Sequence, residues 1–344
     1  MEPVSPDALS LNKFPSAAVR LYYRLKRFIP KRFRLVLRRK HVNKVLEVSH
    51  DRWPIYEPAG QPPEGWPGWP DGNEFAFVLT HDVETQLGVD RVKELAELEM
   101  EYGFRSSFNF VPEGEYTVPE GLRNWLTERG FEVGVHDLHH DGNLYSSKRS
   151  FEEKAKRINH YLREWGAVGF RSGFMLHNLD WAHELDVLYE ASTFDTDPFE
   201  PQPDGAHTIF PFWVPAPNGA ADSGGYVELP YTLPQDSTLF IHLGHRSIEI
   251  WRRKLEWIVS KGGMALVIVH PDYTNFGTGT EGRCEFPARL YGEFLQLVSR
   301  EFSSRFWHVL PRDVAQFCRK LKPMLHAKLG GFSTLAGSMV TLMG

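Results

Sequence analysis

The stretch FAFVLTHDVE, residues 75–84, joins an apolar run of strand length to a polar end that carries two carboxylates. Residues two apart in an extended chain point to the same side, so Asp82 and Glu84 are expected to project together while His81 and Val83 face away. Two neighbouring carboxylates repel each other unless a cation binds between them or one of them keeps a proton. The stretch therefore predicts a buried strand that ends in a metal site or in a proton-sharing acidic pair.

The alternation of apolar strand-like runs with helical patterns continues along the chain. Further strands are predicted at 107–111, 131–136, 169–171, 192–196, 264–270 and 307–310. Helices are predicted at 89–102, 120–129, 151–165, 181–188, 248–260, 289–301 and 313–321. Repeated strand–helix units predict parallel strands joined by right-handed crossovers, in a barrel or a doubly wound sheet. Residues 198–226, rich in proline and glycine, interrupt the repeat and are interpreted as an insertion.

The predicted strand 131–136 runs directly into a histidine cluster. In parallel α/β folds, functional side chains collect at the carboxyl ends of the strands. His136 and His140 are four residues apart and meet on one face if the chain turns helically beyond the strand, as two imidazole ligands of one metal require. His139 would then point away. Together with Asp82 and Glu84, this cluster favours a metal site over isolated core or surface histidines.

Later strand ends add further polar candidates. These residues are Arg171, Asp195, Asp197 and His270. His270 ends an entirely apolar run, which is a favourable position for a general acid or base. Each residue also has a structural interpretation, since Arg171 could form a buried ion pair and His270 could cap the following turn.

The order of these residues resembles the motifs of the NodB-homology polysaccharide deacetylases over residues 75–315. The matching segments are Thr80–Glu84, His136-x-x-x-His140, Arg171-x-Gly-Phe174 and Val267-x-x-His270. The resemblance implies an α/β fold, the distorted (β/α)₇ barrel of the polysaccharide deacetylase type. It also implies these roles: Asp82 as catalytic base, Glu84, His136 and His140 as metal ligands, Arg171 as the residue that holds the base, His270 as catalytic acid, and Asp195 or Asp197 as the residue that tunes His270.

Three positions depart from the pattern of that family. Glu84 stands where members have Asp, which lengthens the ligand arm by one methylene. Gly173 stands where the family often has Pro, and Asp137 stands where Ser or Thr is usual. The sequence is therefore expected to be a divergent member.

The implied activity is a metal-dependent hydrolysis that removes an N-acyl group, acetyl in the first instance, from an amino sugar or a sugar-containing precursor. One divalent metal is expected, with zinc preferred for two imidazoles and one carboxylate, and nickel, cobalt or manganese suited to the same ligands. Two alternatives stay open: a catalytically silent glycan-binding or scaffold barrel, and a hydrolase of a non-sugar amide or ureide C–N bond. Aromatic residues near the domain favour sugar, although packing in the core explains them equally: Trp66, Trp69, Trp181, Phe212 and Trp213.

The charge of the chain is distributed unevenly. The net charge of the 344 residues is −5, yet residues 1–44 contain twelve Lys and Arg against two acidic residues. The remainder is accordingly acidic, and a basic end on an acidic body favours an anionic membrane surface over nucleic acid. The two cysteines, Cys284 and Cys318, exclude a disulfide framework and a cysteine-rich zinc site.

The N-terminal segment has two interpretations. In residues 20–40, Leu21, Leu25, Phe28 and Ile29 share one helical face among basic residues, and a second short turn with Phe33, Val36 and Leu37 follows Pro30. This pattern is typical of an interfacial membrane anchor, or of helices packed on the domain. The sequence shows neither an apolar span nor a secretory signal, so a cytoplasmic protein, peripheral on the inner membrane face and acting on a lipid-linked sugar, is expected.

The expected domain boundaries follow from these patterns. Residues 1–50 form the basic amphipathic segment and residues 51–74 a linker rich in proline and tryptophan. The catalytic domain is predicted to span 75–322. Residues 323–344 form a C-terminal tail whose pattern assigns it no role.

Overall fold

The structure, a computed structural model, describes residues 31–216, 224–277 and 282–329. The strands in these ranges are β1 Phe75–Val83, β2 Ser107–Phe110, β3 Glu132–His136, β4 Gly169–Arg171, β5 Tyr189–Glu190, β6 Phe212–Pro215, β7 Gly225–Glu228, β8 Met264–Ile268, β9 Thr274–Asn275, β10 Phe286–Pro287 and β11 Phe306–His308. The α-helices are α1 Lys31–Val48, α2 Gln86–Glu101, α3 Glu120–Glu128, α4 Lys148–Trp165, α5 Glu249–Lys261, α6 Arg289–Glu301 and α7 Pro311–Leu329.

Strand β1 is the centre of the sheet. It pairs in parallel with β8 along one side, over Ala76–Thr80. On its other side it pairs with β11 over its first residues and with β2 over Thr80–Val83. From β2 the parallel sheet continues through β3, β4, β5 and β7, and β6 lies antiparallel to β7 at the end of this order.

The chain beyond β7 closes the sheet into a barrel. The amides of Thr232 and Leu233 both donate to the carbonyl of Leu266 in β8, at 3.2 Å. The Thr232 hydroxyl in turn accepts the Leu266 amide at 3.0 Å. The sheet therefore curls back to β8, and the predicted distorted (β/α) barrel is confirmed.

The alternation along β1 divides the core in two. Phe75, Phe77 and Leu79 pack outward in one hydrophobic cluster with side chains of α2, α5 and α6. Ala76 and Val78 point the other way, into the barrel. Thr80 and Asp82 continue the inward series, which brings the polar end of β1 to the mouth of the barrel.

Two predicted elements were wrong. No regular strand forms at 192–196: β5 ends at Glu190, and beyond it there is an isolated bridge between Phe194 and Tyr231. The buried carboxylate of Glu190 accepts the Ser192 amide, so a side chain takes the hydrogen bond of a strand ladder. The predicted helix 181–188 is a single 3₁₀ turn, Trp181–Glu184.

The predicted insertion at 198–226 is only partly irregular, because it contains β6 and the beginning of β7. Residues 217–223, between these strands, lie outside the described residues. Helix α7 extends to Leu329, beyond the predicted boundary at 322. Residues 330–344, most of the predicted tail, are also outside the described part of the chain.

The predicted linker, residues 51–74, packs against the barrel. Trp53 and Trp69 are buried in the predicted linker, and the Trp69 indole N–H donates to the Gly262 carbonyl at 2.8 Å. Upstream, α1 is a continuous helix and not the short turn predicted after Pro30. The predicted apolar face Leu21, Leu25, Phe28 and Ile29 falls outside the described residues. No helix in the described ranges combines the length and apolarity that crossing a bilayer would demand.

Candidate metal centre and active site

The polar end of β1 separates its side chains as predicted. Asp82 is buried on the inner side of the barrel, where it lines the cavity at the barrel mouth. His81 lies on the outer side, with its Nε2 atom 2.8 Å from the Glu99 carboxylate and its Nδ1 atom 2.8 Å from the Val269 carbonyl. The acidic pair therefore belongs to the cavity and His81 belongs to the packing of α2.

Glu84, His136 and His140 converge at this mouth. Each offers one ligand atom, and these atoms all lie within 4.8 Å of one another. The structure thus brings these three residues together, but the chain does not turn helically beyond β3. Asp137 and His140 instead adopt left-handed backbone angles, with φ of 56° and 52°. Such angles are uncommon outside glycine and are typical of functional turns.

The surroundings of these three residues fit a divalent cation. The Nδ1 atom of His136 donates to the Arg171 carbonyl at 3.1 Å, which fixes the tautomer and leaves Nε2 as an acceptor. That Nε2 atom is buried without a hydrogen-bond partner among the described residues. Burial lowers the pKa of His136, which favours the neutral form that binds metal. The Arg171 carbonyl therefore orients the His136 ring so that its Nε2 atom can bind a metal, as in known metal sites.

Glu84 is held by two neighbouring contacts. Its Oε2 atom accepts the Tyr273 hydroxyl at 2.9 Å, while Oε1 lies 3.2 Å from the His140 Nε2 atom. Burial would raise the pKa of Glu84, but the nearby histidines, His140 first, hold it below its usual range. The charged form of the carboxylate is therefore favoured, and the longer Glu arm still reaches the His140 imidazole.

His139 is turned away from this cluster, as predicted. Its Nδ1 atom donates to the Glu113 carbonyl at 3.1 Å. His139 can therefore serve as a control for substitutions of His136 and His140, because it lies in the same segment but outside the cluster.

Asp82 is oriented by two donors. Its Oδ1 atom accepts from the Asn109 amide at 2.9 Å and from the Arg171 guanidinium at 3.1 Å. Burial would raise the pKa of Asp82, but Arg171 and the nearby histidines lower it to about 2. Arg171 is fixed in turn by the Ala191 carbonyl and the Thr80 hydroxyl. Arg171 thus contacts Asp82 as the resemblance implied.

Asn109 was missed at the sequence level, although a signal existed. It is the one amide in β2, between Phe108 and Phe110, and the register pairs it directly with Asp82 of β1. A polar residue within a short buried strand next to a site strand indicates a partner for that site.

His270 is oriented by Asp236, which the sequence analysis also missed. The His270 Nδ1 atom donates to Oδ1 of Asp236 at 2.6 Å, and the His270 amide donates to Oδ2 at 2.8 Å. Burial lowers the pKa of His270, but the surrounding carboxylates, Asp236 first, raise it to about 10. The carboxylate that tunes His270 is therefore Asp236, and the expectation of Asp195 or Asp197 in that role was wrong.

The two predicted aspartates have other partners. Asp195 forms a buried ion pair with Lys254, with an Nζ–Oδ2 distance of 2.8 Å. Asp197 accepts the Tyr231 hydroxyl at 2.8 Å and the Phe199 amide at 2.9 Å. Neither carboxylate forms a hydrogen bond or ion pair with His270.

Two departures from the family pattern contact each other. The Gly173 amide donates to Oδ2 of Asp137 at 3.1 Å. A Cβ atom on Gly173 would lie 2.6 Å from that oxygen and 2.7 Å from the His140 ring. Gly173 is therefore required by close approach, and its N–H is required by Asp137.

One open cavity of about 780 Å³ is bordered by Asp82, Glu84, His136, His140 and His270. Phe174 and Tyr273 are the aromatic rings in its wall, and Phe174 stacks on His140 with ring centroids 4.4 Å apart. The aromatics predicted to favour sugar do not line the cavity. Trp66 and Trp69 pack against each other in the core, with centroids 4.8 Å apart.

Comparisons with known proteins support the fold. No protein-family model and no curated protein matches the sequence. A solved structure named "putative polysaccharide deacetylase" from Mycobacterium smegmatis aligns with 74% of this chain and 93% of its own, at 20% identity and a TM-score of 0.53.

Two further structures align more loosely. A peptidoglycan deacetylase from Bacillus subtilis aligns with 74% of this chain and 97% of its own, at 10% identity and a TM-score of 0.39. A family 4 carbohydrate esterase from Streptomyces lividans aligns with 67% and 90%, at 10% identity and a TM-score of 0.39. The fold assignment depends on the Mycobacterium structure. With it, the resemblance to the NodB-homology polysaccharide deacetylases is confirmed as a shared fold.

Proposed function

We propose that this protein is a metal-dependent hydrolase that removes an N-acyl group, acetyl in the first instance, from an amino sugar or a sugar-containing precursor. The observation that carries the proposal is the convergence of Glu84, His136 and His140 within 4.8 Å of one another, beside two separately oriented proton-transfer groups. A silent glycan-binding barrel would have no need of a ligand set, a base and an acid around one cavity.

Glu84, His136 and His140 would hold one divalent cation, with zinc the first choice for this donor set. When bound, such a cation supplies a Lewis acid that polarises the acyl carbonyl and lowers the pKa of water from 15.7 to about 7. The protein supplies the geometry around it, since the Arg171 carbonyl, the Tyr273 hydroxyl and the left-handed turn at Asp137 fix the three ligands.

Asp82 accepts the proton of the attacking water in this proposal. Both of its hydrogen bonds from Asn109 and Arg171 go to Oδ1, which leaves Oδ2 as the acceptor atom. The guanidinium keeps the carboxylate ionised and prevents it from rotating. Asp82 would thus act as the base from a position outside the cluster of Glu84, His136 and His140.

His270 donates a proton to the departing amine. Asp236 occupies its Nδ1 atom, so Nε2 is the atom available to the substrate. This Nε2 lies 3.9 Å from Oε1 of Glu84, which places the donor next to the cluster where the acyl carbonyl would bind. Proton transfer to nitrogen lets the amide C–N bond break and releases the free amine with the carboxylate.

The experiment is acetate release by the zinc-loaded protein from N-acetylated amino sugars, presented free, nucleotide-linked and lipid-linked. We expect release by the wild-type chain and loss on the order of 1,000-fold in Asp82→Asn, with bound zinc unchanged. Acetate release by Asp82→Asn at the wild-type rate, or zinc loss as complete as in His136→Ala, would refute the base assignment. No release from any acylated sugar by a zinc-loaded wild type would refute the activity. The cellular location stays a prediction.

A further inference from the structure

The exposed large hydrophobic side chains of the described residues lie on one helix and at the rim of the cavity. The large hydrophobic side chains that are exposed there are Val36, Leu37, Val48 and Leu87, with 51%, 58%, 74% and 44% of their surface accessible. Three of them belong to α1, and the fourth, Leu87, borders the cavity. Isolated exposed aliphatics are ordinary, but a group restricted to one helix and the rim of a cavity indicates a contact surface.

The inner side of α1 attaches this helix to the wall of the cavity. Val42 is fully buried, and Val45 and Leu46 pack against the same core. The Arg39 Nε atom donates to the Ile241 carbonyl at 3.0 Å, and the side chain of Arg38 reaches the cavity lining itself. Ile241 belongs to the π-helix Ser237–His242 that follows Asp236. The helix is therefore packed beside the proposed active site.

The opposite side of α1 combines aliphatic and basic side chains. With 100° of rotation per residue, Val36, Leu37, Lys40, Lys44 and Val48 fall within an arc of about 120°. All five are exposed. Glu47 is the acidic residue on this arc, and none precedes it in the helix. These five residues are called the α1 outer face.

The charge of the surrounding sequence indicates what covers this face. Residues 1–44 carry twelve Lys and Arg against two acidic residues, although the whole chain is net negative at −5. The centre of a protein–protein interface is depleted in lysine, whereas alternating lysines and aliphatics suit the boundary between phosphate headgroups and acyl chains. The complementary partner is thus an anionic lipid surface.

We propose that the α1 outer face docks on an anionic membrane surface and brings the cavity, with Leu87 at its rim, to that surface. The proposal rests on the deacylase function for its consequence: the amino sugar is presented on a lipid at the interface. Lysines beside an anionic bilayer attract it through the surface potential, and the three aliphatic side chains enter the interfacial layer.

The test is co-sedimentation of the full chain with phosphatidylcholine vesicles that contain or lack phosphatidylglycerol. We expect binding only to the anionic vesicles, weakened by added salt. Lys40→Glu/Lys44→Glu should weaken binding at least about tenfold, and Leu37→Ser/Val48→Ser should weaken it severalfold. The matched control is Lys148→Glu/Lys156→Glu, which makes the same charge change on the exposed side of α4 and should alter binding by less than about twofold.

Three outcomes would overturn the proposal: no binding by the wild type at low salt, equal loss in the control variant, or binding that survives both changes on α1. If the wild type is a dimer that the α1 variants convert to a monomer, a second copy occupies the face and the membrane is excluded. Acetate release from a water-soluble sugar without vesicles tests the deacylase separately, because the α1 outer face does not line the cavity. Vesicle binding without acetate release would refute only the deacylase, and acetate release without vesicle binding only the membrane proposal.

Discussion

The two sides of the cavity are built in different ways. On the proposed metal side, Glu84 directly follows β1 and His136 ends β3, where strand pairing fixes their height and direction. On the proton-donor side, Asp236 begins a π-helix and His270 lies two residues beyond β8, and hydrogen bonds between them fix their positions. A site can therefore draw its geometry from sheet register on one side and from a long-range side-chain contact on the other.

The largest expected effect is on the metal side. His136→Ala removes a ligand whose Nε2 atom has no other partner in the described residues, so zinc and activity should be lost together, activity on the order of 1,000-fold or more. Metal analysis and acetate release measure both. His139→Ala is the control, because its imidazole contacts Glu113 instead, and it should keep both. Equal loss in the two variants would contradict the assignment of ligand and bystander.

The next effect belongs to the donor side. Asp236→Asn keeps the shape but removes the charge that orients His270, so turnover should fall on the order of 100-fold with zinc retained. Asp197→Asn is the matched change on a buried aspartate that contacts Tyr231, and it should lower turnover much less. Zinc loss in Asp236→Asn would show that the two sides are not independent.

A smaller effect is expected from a contact that supports the metal side. Tyr273→Phe removes the hydroxyl that donates to Glu84 Oε2 without changing the packing of the ring. The zinc affinity should fall about tenfold, measured by competition with a chromogenic chelator. Tyr161→Phe, which loses a hydroxyl contact to Glu113 on the outside of the barrel, should leave zinc affinity unchanged.

The smallest expected effect on the site comes from Glu132, which should change the stability of strand β3 without changing zinc affinity. Glu132 begins β3, and burial raises its pKa to about 7. The Glu132 carboxyl then holds its proton more tightly in the folded state than in the unfolded state. Its contribution to the free energy of unfolding is therefore fully present below about pH 4.5 and is lost as pH rises through about 7. Glu132→Gln should remove about 3 kcal/mol of this loss in urea unfolding, with zinc affinity unchanged. If the unfolding stability of Glu132→Gln changed with pH as it does in the wild type, Glu132 would not be the group responsible.

The proposed metal side could be predicted from the sequence because its ligands follow from local patterns. The period of two along residues 75–84 placed Asp82 and Glu84 together, and the apolar run before His136 marked the strand end. The turn beyond β3 could not be foreseen, since nothing in the sequence distinguishes a helical turn from the left-handed angles that Asp137 and His140 adopt.

The donor side could not be predicted because its side-chain contacts join residues that are far apart in the sequence and do not follow from strand ends. Asp195 stands where a strand end was expected, but Lys254 of α5 pairs with it from a distant part of the chain. Asp236 follows the segment that closes the barrel onto β8, a segment without a clear strand pattern. Only the closed sheet brings Asp236 next to His270.

The contact between Gly173 and Asp137 has an evolutionary consequence. Proline at position 173 has no N–H, so it would leave the Asp137 carboxylate without this donor, and its ring would collide with His140. A chain that carries Asp at 137 therefore cannot change position 173 first without weakening the turn that presents His140. The two positions are epistatic in one respect: the lost hydrogen bond of a proline at 173 matters only while residue 137 is Asp, whereas its collision with His140 is the same whatever residue stands at 137.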